Sequence, residues 1–280
     1  MLCINIQRRS QMNQRKFRIF AIILISILFN SKSIIANASN DVRQPKKIEW
    51  TFEGYKGKFD RQSIQRGFKV FKEVCSACHS ANALAFRNLT AIGYSPVIAK
   101  TIASGYTINA GPNDEGQMYT RPGNLSDHMP GPYANEKEAR SVNNGAYPPD
   151  LSLIIKARDN GANYVYSLLT GFQEPVPTDF VVGENMHYNP YFAGGGQQLA
   201  MAPPLVSDNQ VEFDDGTAAT INQMSYDVVN FLQWLAEPEM EERKSMGWSV
   251  MIFVLVFTII FYFAKKRIWS RLENQQRNKN

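Results

Sequence analysis

The sequence predicts a mainly helical domain with long loops, followed by a helix that crosses a membrane. Three observations lead to this prediction. Apolar residues recur at helical spacing in several segments, and the stretches between those segments are rich in Gly, Pro and Asn. Near the C-terminus, residues 247–264 form an apolar run that contains no charge. We expect few strands, all of them short.

Residues 1–38 predict a signal peptide. A basic segment precedes the apolar residues 19–29, and Ala36-Asn37-Ala38 has the form of a cleavage site. A membrane anchor is the alternative, but so short an apolar segment cannot cross a bilayer core. Met12 is an alternative start, and Cys3 would leave with the peptide. An arginine-rich presequence also suits mitochondria, but the cleavage site and the apolar segment favour bacterial export.

The stretch Cys75-Ser76-Ala77-Cys78-His79 is the pattern for covalent c-type haem attachment. Each thiol adds to one haem vinyl group, the spacing fits one helical turn, and the histidine becomes the proximal iron ligand. A thioredoxin-like pair would need a βαβ context, and a zinc site would need a second ligand pair. Chance is the third alternative. We predict that residues 39–246 form a c-type cytochrome domain with one covalently attached haem c.

The segment before this motif predicts a helix that Asp60 caps and that ends at Val74. Ile64, Phe68 and Phe71 share one face of it. A c-type cytochrome fold places its small and aromatic contacts with the last helix of the domain at the positions of Gly67 and Phe71. Two further helices are predicted at 162–170 and 221–236, with loops at 105–150 and 173–217.

The iron needs a sixth ligand or an open position, and His128, His187 and the methionines are the candidates. Met201 differs from the others by its surroundings, because glycines precede it at 194–196 and two prolines follow it at 203–204. Glycines allow a close backbone approach, and prolines hold the chain extended. Ligation by histidine and methionine raises the reduction potential and suits electron transfer. Position alone leaves the choice open.

The apolar run 247–264 has about the minimum length for a membrane-spanning helix. A buried helix of a soluble protein is the alternative, but such a helix is rarely apolar on every face. Trp248, Tyr262 and Trp269 suit the two interfaces. Four basic residues between 265 and 271 predict a cytoplasmic tail at 265–280, so the haem domain would face the periplasm.

Charge is unevenly distributed along the chain. Residues 39–247 contain 18 Lys and Arg against 24 Asp and Glu, whereas both ends are basic. An acidic domain argues against nucleic acid as a ligand and favours a basic protein partner. The acids that could attract such a partner are Asp114, Glu115, Glu136, Glu138, Glu184, Asp208 and Glu212.

Residues 50–269 resemble the cytochrome c1 family, the haem subunits of cytochrome bc1 complexes. Besides the haem motif, the resemblance rests on several stretches: 143–152, 156–158, 164–171, 189–192, 201–204, 212–217 and 236–239. It implies that Cys75 and Cys78 hold the haem, that His79 is the proximal ligand and that Met201 is the distal one. It further implies a haem pocket lined by Asn143, Pro149, Arg158 and Tyr164, with Arg158 near a propionate.

The resemblance implies an electron carrier of the respiratory chain that has no substrate chemistry of its own. It would take single electrons from the Rieske iron–sulfur protein and pass them to a cytochrome c. Its transmembrane helix would lie beside cytochrome b in the inner membrane. Two alternatives remain at this stage: a haem peroxidase or oxidase subunit, and a haem sensor with an exchangeable sixth ligand. Some bacterial members carry an additional cysteine pair on the distal side, which this sequence lacks.

Overall fold

The computed structural model describes residues 42–277, so the predicted signal peptide lies outside the described residues. Within them the fold is mainly helical, as predicted. The α-helices are α1 (Arg61–Glu73), α2 (Pro96–Ser104), α3 (Glu136–Val142), α4 (Gly161–Gly171), α5 (Ile221–Ala236) and α6 (Met240–Arg277). Short 3-10 helices occupy Cys75–Ala77 and Phe86–Ile92. Two small antiparallel pairs join β1 (Thr107–Ala110) to β2 (Tyr119–Pro122) and β3 (His187–Tyr188) to β4 (Gln198–Leu199).

Helix α1 begins where the sequence predicts and ends at Glu73, one residue before the predicted end. The Asp60 side chain accepts hydrogen bonds from the backbone N–H groups of Gln62 and Ser63, which otherwise have no partner in the first turn. At the other end, Val74 is the C-cap and leads directly into the 3-10 helix with the first motif cysteine. Helix α1 therefore determines where the haem motif starts.

Helices α1 and α5 pack closely against each other, as the predicted contacts of Gly67 and Phe71 require. A Cβ built on Gly67 would lie 1.9 Å from the carbonyl oxygen of Asp227, so only glycine allows this approach. The rings of Phe68 and Phe71 each lie 5.5 Å from the ring of Phe231. All three phenylalanines are fully buried, and they form the centre of the hydrophobic core.

A buried ion pair joins the same two helices. Arg66 donates to both carboxylate oxygens of Asp227, at 2.7 and 2.9 Å, and the Asp227 side chain is fully buried. Ser63 and Gln223 donate to the same carboxylate. Because every one of these donors satisfies the buried charge, the helix interface tolerates a carboxylate that would otherwise be costly to desolvate.

The segments predicted as loops contain more structure than expected. Residues 105–150 include the β1–β2 hairpin and α3, and the unpredicted helix α2 precedes them. These elements have four to nine residues, which is too short for a clear hydrophobic period. Local capping supports the two helices instead: Ser95 accepts from the Ile98 N–H at the start of α2, and Asn135 accepts from the Glu138 N–H at the start of α3.

Helix α6 contains the predicted membrane span and extends beyond it on both sides. A 33-residue candidate span runs from Met240 to Leu272. Its 18-residue apolar window has a mean hydropathy of 2.3, and none of that window is buried against the domain. A stretch that is apolar on all faces and exposed along its length, as this window is, fits a transmembrane anchor.

Candidate functional site

The haem motif forms one tight turn at the end of α1. The backbone N–H groups of Cys78 and His79 both donate to the Cys75 carbonyl oxygen, at 3.1 and 2.9 Å. Cys75 is half-buried and Cys78 is exposed, and neither forms a disulfide. The turn therefore presents two free thiols and an imidazole within five consecutive residues, which is the donor set for a c-type haem.

The His79 ring is oriented by a residue 70 positions further along the chain. Its Nδ1 atom lies 2.8 Å from the carbonyl oxygen of Pro149. Because a carbonyl oxygen can only accept, Nδ1 carries the proton and Nε2 keeps its lone pair. A hydrogen bond of this kind orients a metal-ligating histidine and makes its imidazole more basic. His79 is thus prepared to ligate through Nε2.

A carboxylate holds the Pro149 segment beside the haem turn. Asp150 accepts hydrogen bonds from the Ser80 hydroxyl at 2.7 Å and from the Asn82 N–H at 2.9 Å. It also accepts from the N–H of Ser152 at 2.9 Å. Burial by itself would raise the pKa of Asp150, but these hydrogen bonds lower that pKa below its ordinary value. We call Asp150 with Ser80, Asn82 and Ser152 the Asp150 clip.

The environment of the turn suits ligation better than thiol redox chemistry. Burial lowers the pKa of His79, which keeps the imidazole neutral and able to donate its lone pair. Burial raises the pKa of the Cys75 thiol to about 12, with a smaller contribution from Cys78. A thioredoxin-like pair needs a lowered thiol pKa, so this alternative finds no support here.

The described residues also lack the ligand set of a zinc site. Between residues 42 and 277, no group of three or more His, Cys, Asp or Glu side chains is placed to hold a metal ion. His128 is engaged locally, because its Nδ1 lies 2.7 Å from the Asn82 carbonyl oxygen. His187 belongs to the β3–β4 pair.

The predicted distal ligand, Met201, is half-buried in a segment that is held at both ends. On one side, Leu199 pairs with His187 between β4 and β3. On the other side, Leu205 is buried in the core, and the Gln210 side chain bonds to the Pro204 carbonyl oxygen and the Val206 N–H, each at 2.9 Å. Hydrogen bonds therefore brace this segment, for which the sequence offers no disulfide.

The sequence is similar to known proteins over most of its length. The model of the Cytochrome C1 family matches residues 50–272. The chain belongs to the cytochrome c1 family. "Cytochrome c1 2, heme protein, mitochondrial" of Arabidopsis thaliana is 48% identical over 229 residues, which cover 81% of this chain and 73% of the relative. "Cytochrome c1" of Rhodospirillum rubrum is 43% identical over 243 residues, which cover 81% and 88%.

A third similar protein is named as a subunit of a cytochrome b-c1 complex. "Cytochrome b-c1 complex catalytic subunit, mitochondrial" of Candida albicans is 43% identical over 232 residues, which cover 83% of this chain and 80% of that protein. Membership of the cytochrome c1 family implies a haem of the c type as cofactor. The two thiols and the available Nε2 of the His79 turn fit such a haem.

The other predicted pocket residues lie in different parts of the fold. Pro149 lies directly at the site through its carbonyl oxygen. Tyr164 on α4 is half-buried. Burial raises its pKa above the ordinary value, and the neighbouring Arg158 offsets only part of that rise. Asn143 caps α3 and donates to the Tyr133 hydroxyl at 2.9 Å. Their places at a haem pocket remain predictions.

The Asp150 clip is the part of the site that sequence reasoning missed. The signal was present in Pro149-Asp150-Leu151-Ser152, because an Asp that precedes a polar residue by two positions often accepts from that backbone N–H. The bond from Ser152 is of this kind. The bonds to Ser80 and Asn82 join positions about 70 residues apart, and no local pattern indicates them.

Proposed function

We propose that this chain is the haem-carrying, membrane-anchored subunit of a cytochrome bc1 complex and carries single electrons from the Rieske iron–sulfur protein to a cytochrome c. A bound haem c supplies the one-electron redox chemistry. The family match over residues 50–272 supports the assignment. The 2.8 Å contact between His79 Nδ1 and the Pro149 carbonyl oxygen is the observation that carries it, because it prepares one axial ligand.

Each site residue has a proposed role. Cys75 and Cys78 would hold one haem covalently through their thiols. His79 would ligate the iron through Nε2, and Met201 would ligate it through its thioether sulfur. Iron held by both residues would suit electron transfer better than peroxidase, oxidase or sensor chemistry. Four further residues line the pocket: Asn143, Pro149, Arg158 and Tyr164.

The proposed topology follows from the two ends of the chain. Residues 1–38 export the domain 39–246, residues 247–264 span the inner membrane beside cytochrome b, and residues 265–280 remain in the cytoplasm. The four basic residues after the apolar run support this orientation, because such residues are retained on the cytoplasmic side.

The acidic surplus of the domain supports a basic cytochrome c as electron acceptor. The seven acids singled out in the sequence are all exposed. Complementary charge increases the rate of encounter, and salt weakens this effect. The subunit alone performs no substrate chemistry in this proposal; catalysis of quinol oxidation belongs to the whole complex.

The test is an equilibrium redox titration of the full-length, haem-loaded protein and its Met201→Leu variant. We expect a clearly positive potential that falls by more than about 59 mV in the variant, which for a one-electron couple means a tenfold change in relative affinity for the two redox states. Met118→Leu is the control, because Met118 is 70% exposed on the β1–β2 hairpin. A low potential that neither substitution changes would favour the sensor or peroxidase alternatives.

A further inference from the structure

A compact turn of the domain lies next to the start of the apolar part of α6. Residues 53–58, which we call the Tyr55 turn, follow the buried residues Trp50 and Phe52. The turn is closed by hydrogen bonds from the Gly57 N–H to the Gly54 carbonyl oxygen and from the Lys58 N–H to the Thr51 carbonyl oxygen. At its tip, the side chain of Tyr55 is 84% exposed.

The Tyr55 turn is attached directly to α6. Lys244 on the helix donates to the carbonyl oxygens of Phe52 and Gly57, at 2.6 and 3.3 Å. Glu241 on the helix accepts from the Phe59 N–H at 2.7 Å. A Cβ on Gly57 would lie 2.0 Å from the Glu53 carbonyl oxygen, so the turn is also too tight to accept a larger residue there. These contacts therefore fix the position of the turn along the axis of α6.

The turn lies at the point along α6 where the apolar run begins. The rings of Tyr55 and Trp248 lie 6.4 Å apart in an edge-to-face arrangement. Trp248 is the second residue of the apolar run 247–264 and lies four residues, about 6 Å, beyond Lys244 along the helix. Tyr and Trp concentrate at membrane–water interfaces because their rings are apolar at one end and polar at the other.

The residues beside Tyr55 favour lipid over protein as the occupant of this surface. Lys56 and Lys58 are exposed, against the single acid Glu53. Lysine extends its charge to lipid phosphates while its methylene groups remain near the acyl boundary. Interfaces between proteins are depleted of lysine at their centres. An exposed tyrosine between glycines and lysines therefore suits a bilayer surface.

We propose that the Tyr55 turn is a second membrane contact of this protein, in which Tyr55 lies in the interfacial region of the bilayer with Lys56 and Lys58 at the phosphates. The contact rests on the proposed membrane anchoring by α6. It limits the tilt of the haem domain, because the domain then meets the membrane at the helix and at the turn rather than at the helix alone.

The test is nitroxide labelling of the full-length, haem-loaded protein in phosphatidylcholine vesicles that contain phosphatidylglycerol, with Cys3 replaced by Ser. Labels are placed by Tyr55→Cys, by Val181→Cys and by Val256→Cys. Val181 is the matched control, since it is 87% exposed in a loop. Val256 lies eight residues beyond Trp248, about 12 Å deeper along the helix.

We expect collisions of the Tyr55 label with a water-soluble nickel chelate to be several-fold rarer than those of the Val181 label, and its collisions with oxygen to be at least as frequent. Equal nickel access at positions 55 and 181, with a shielded Val256 label, would overturn the lipid contact and leave the anchor intact. Nickel access at all three positions would overturn both. A Tyr55 label shielded from both reagents only in the assembled complex would show that a protein covers the turn.

Discussion

Gly67 and Asp227 approach each other so closely that a Cβ on the glycine would lie 1.9 Å from the aspartate carbonyl oxygen. This contact joins the helix that leads into the haem turn to the last helix before the anchor. It sets the distance between the two elements, since backbone atoms on both sides meet there and neither can move aside as a flexible side chain would.

Gly67→Ala is therefore expected to destabilise the protein by about 1–3 kcal/mol, the usual cost of overpacking a core. Alanine is otherwise the better helix former by about 1 kcal/mol, so a loss of stability is diagnostic of the close contact. The measurement is denaturant unfolding of the full-length protein in detergent. Gly247→Ala is the control, because nothing lies within 4 Å of a Cβ at that helical glycine. Unchanged stability of Gly67→Ala would contradict the packing described here.

Arg66→Ala is expected to lower the free energy of unfolding by about 3–5 kcal/mol, because it leaves the buried Asp227 carboxylate without its cation. Lys69→Ala on the same helix is the matched control. Lys69 pairs with Asp214, whose side chain is 87% exposed, and such pairs contribute at most about 1 kcal/mol. Urea unfolding of both variants distinguishes the two effects. Similar losses of unfolding free energy in the two variants would show that burial does not govern how much these ion pairs contribute to stability.

The stability of the domain is expected to fall in acid partly through Asp215. Hydrogen bonds from Thr217 and then Arg66 lower the pKa of Asp215 from 3.8 to about 2. Because the folded pKa lies below the unfolded one, the stabilisation is present above pH 3.8 and is lost as the pH falls through about 2. Free energies of unfolding measured over this window should decline less steeply in Asp215→Asn than in the natural protein. Parallel slopes for the two proteins would refute the assignment.

Loosening the Asp150 clip is expected to raise the reduction potential. Asp150→Ala removes the acceptor of three hydrogen bonds, which costs about 1–3 kcal/mol for each group left unpaired and buried. The Pro149 carbonyl oxygen then holds His79 less firmly, and a less basic imidazole stabilises the oxidised state less. The shift is opposite in sign to that expected for Met201→Leu, and redox titration measures both.

Asp159→Asn controls for the loss of one negative charge, because Asp159 is exposed and lies outside the clip. If Asp159→Asn raised the potential as much as Asp150→Ala, the effect would be one of overall charge. Asp150 would then have no positioning role for His79.

Several elements could be predicted because the residues that specify them lie close together in the sequence. Helix α5 has the predicted bounds, and α4 and α1 differ from theirs by a residue or so, since these segments combine an apolar face with clear ends. The family was likewise predicted correctly, on stretches such as 143–152 and 201–204. The helices α2 and α3 were missed because nine and seven residues do not establish a period.

The sequence by itself determined the haem motif, the principal helices, the apolar C-terminal helix and the family, because each depends on residue types at short, regular spacing. Only the tertiary structure decided which residues hold these parts together. Asp227 meets Arg66 across 161 positions, and Pro149 meets His79 across 70. Such pairs form when packed helices bring distant segments into contact, and a hydrogen bond of about 3 Å depends on that packing rather than on any pattern along the chain.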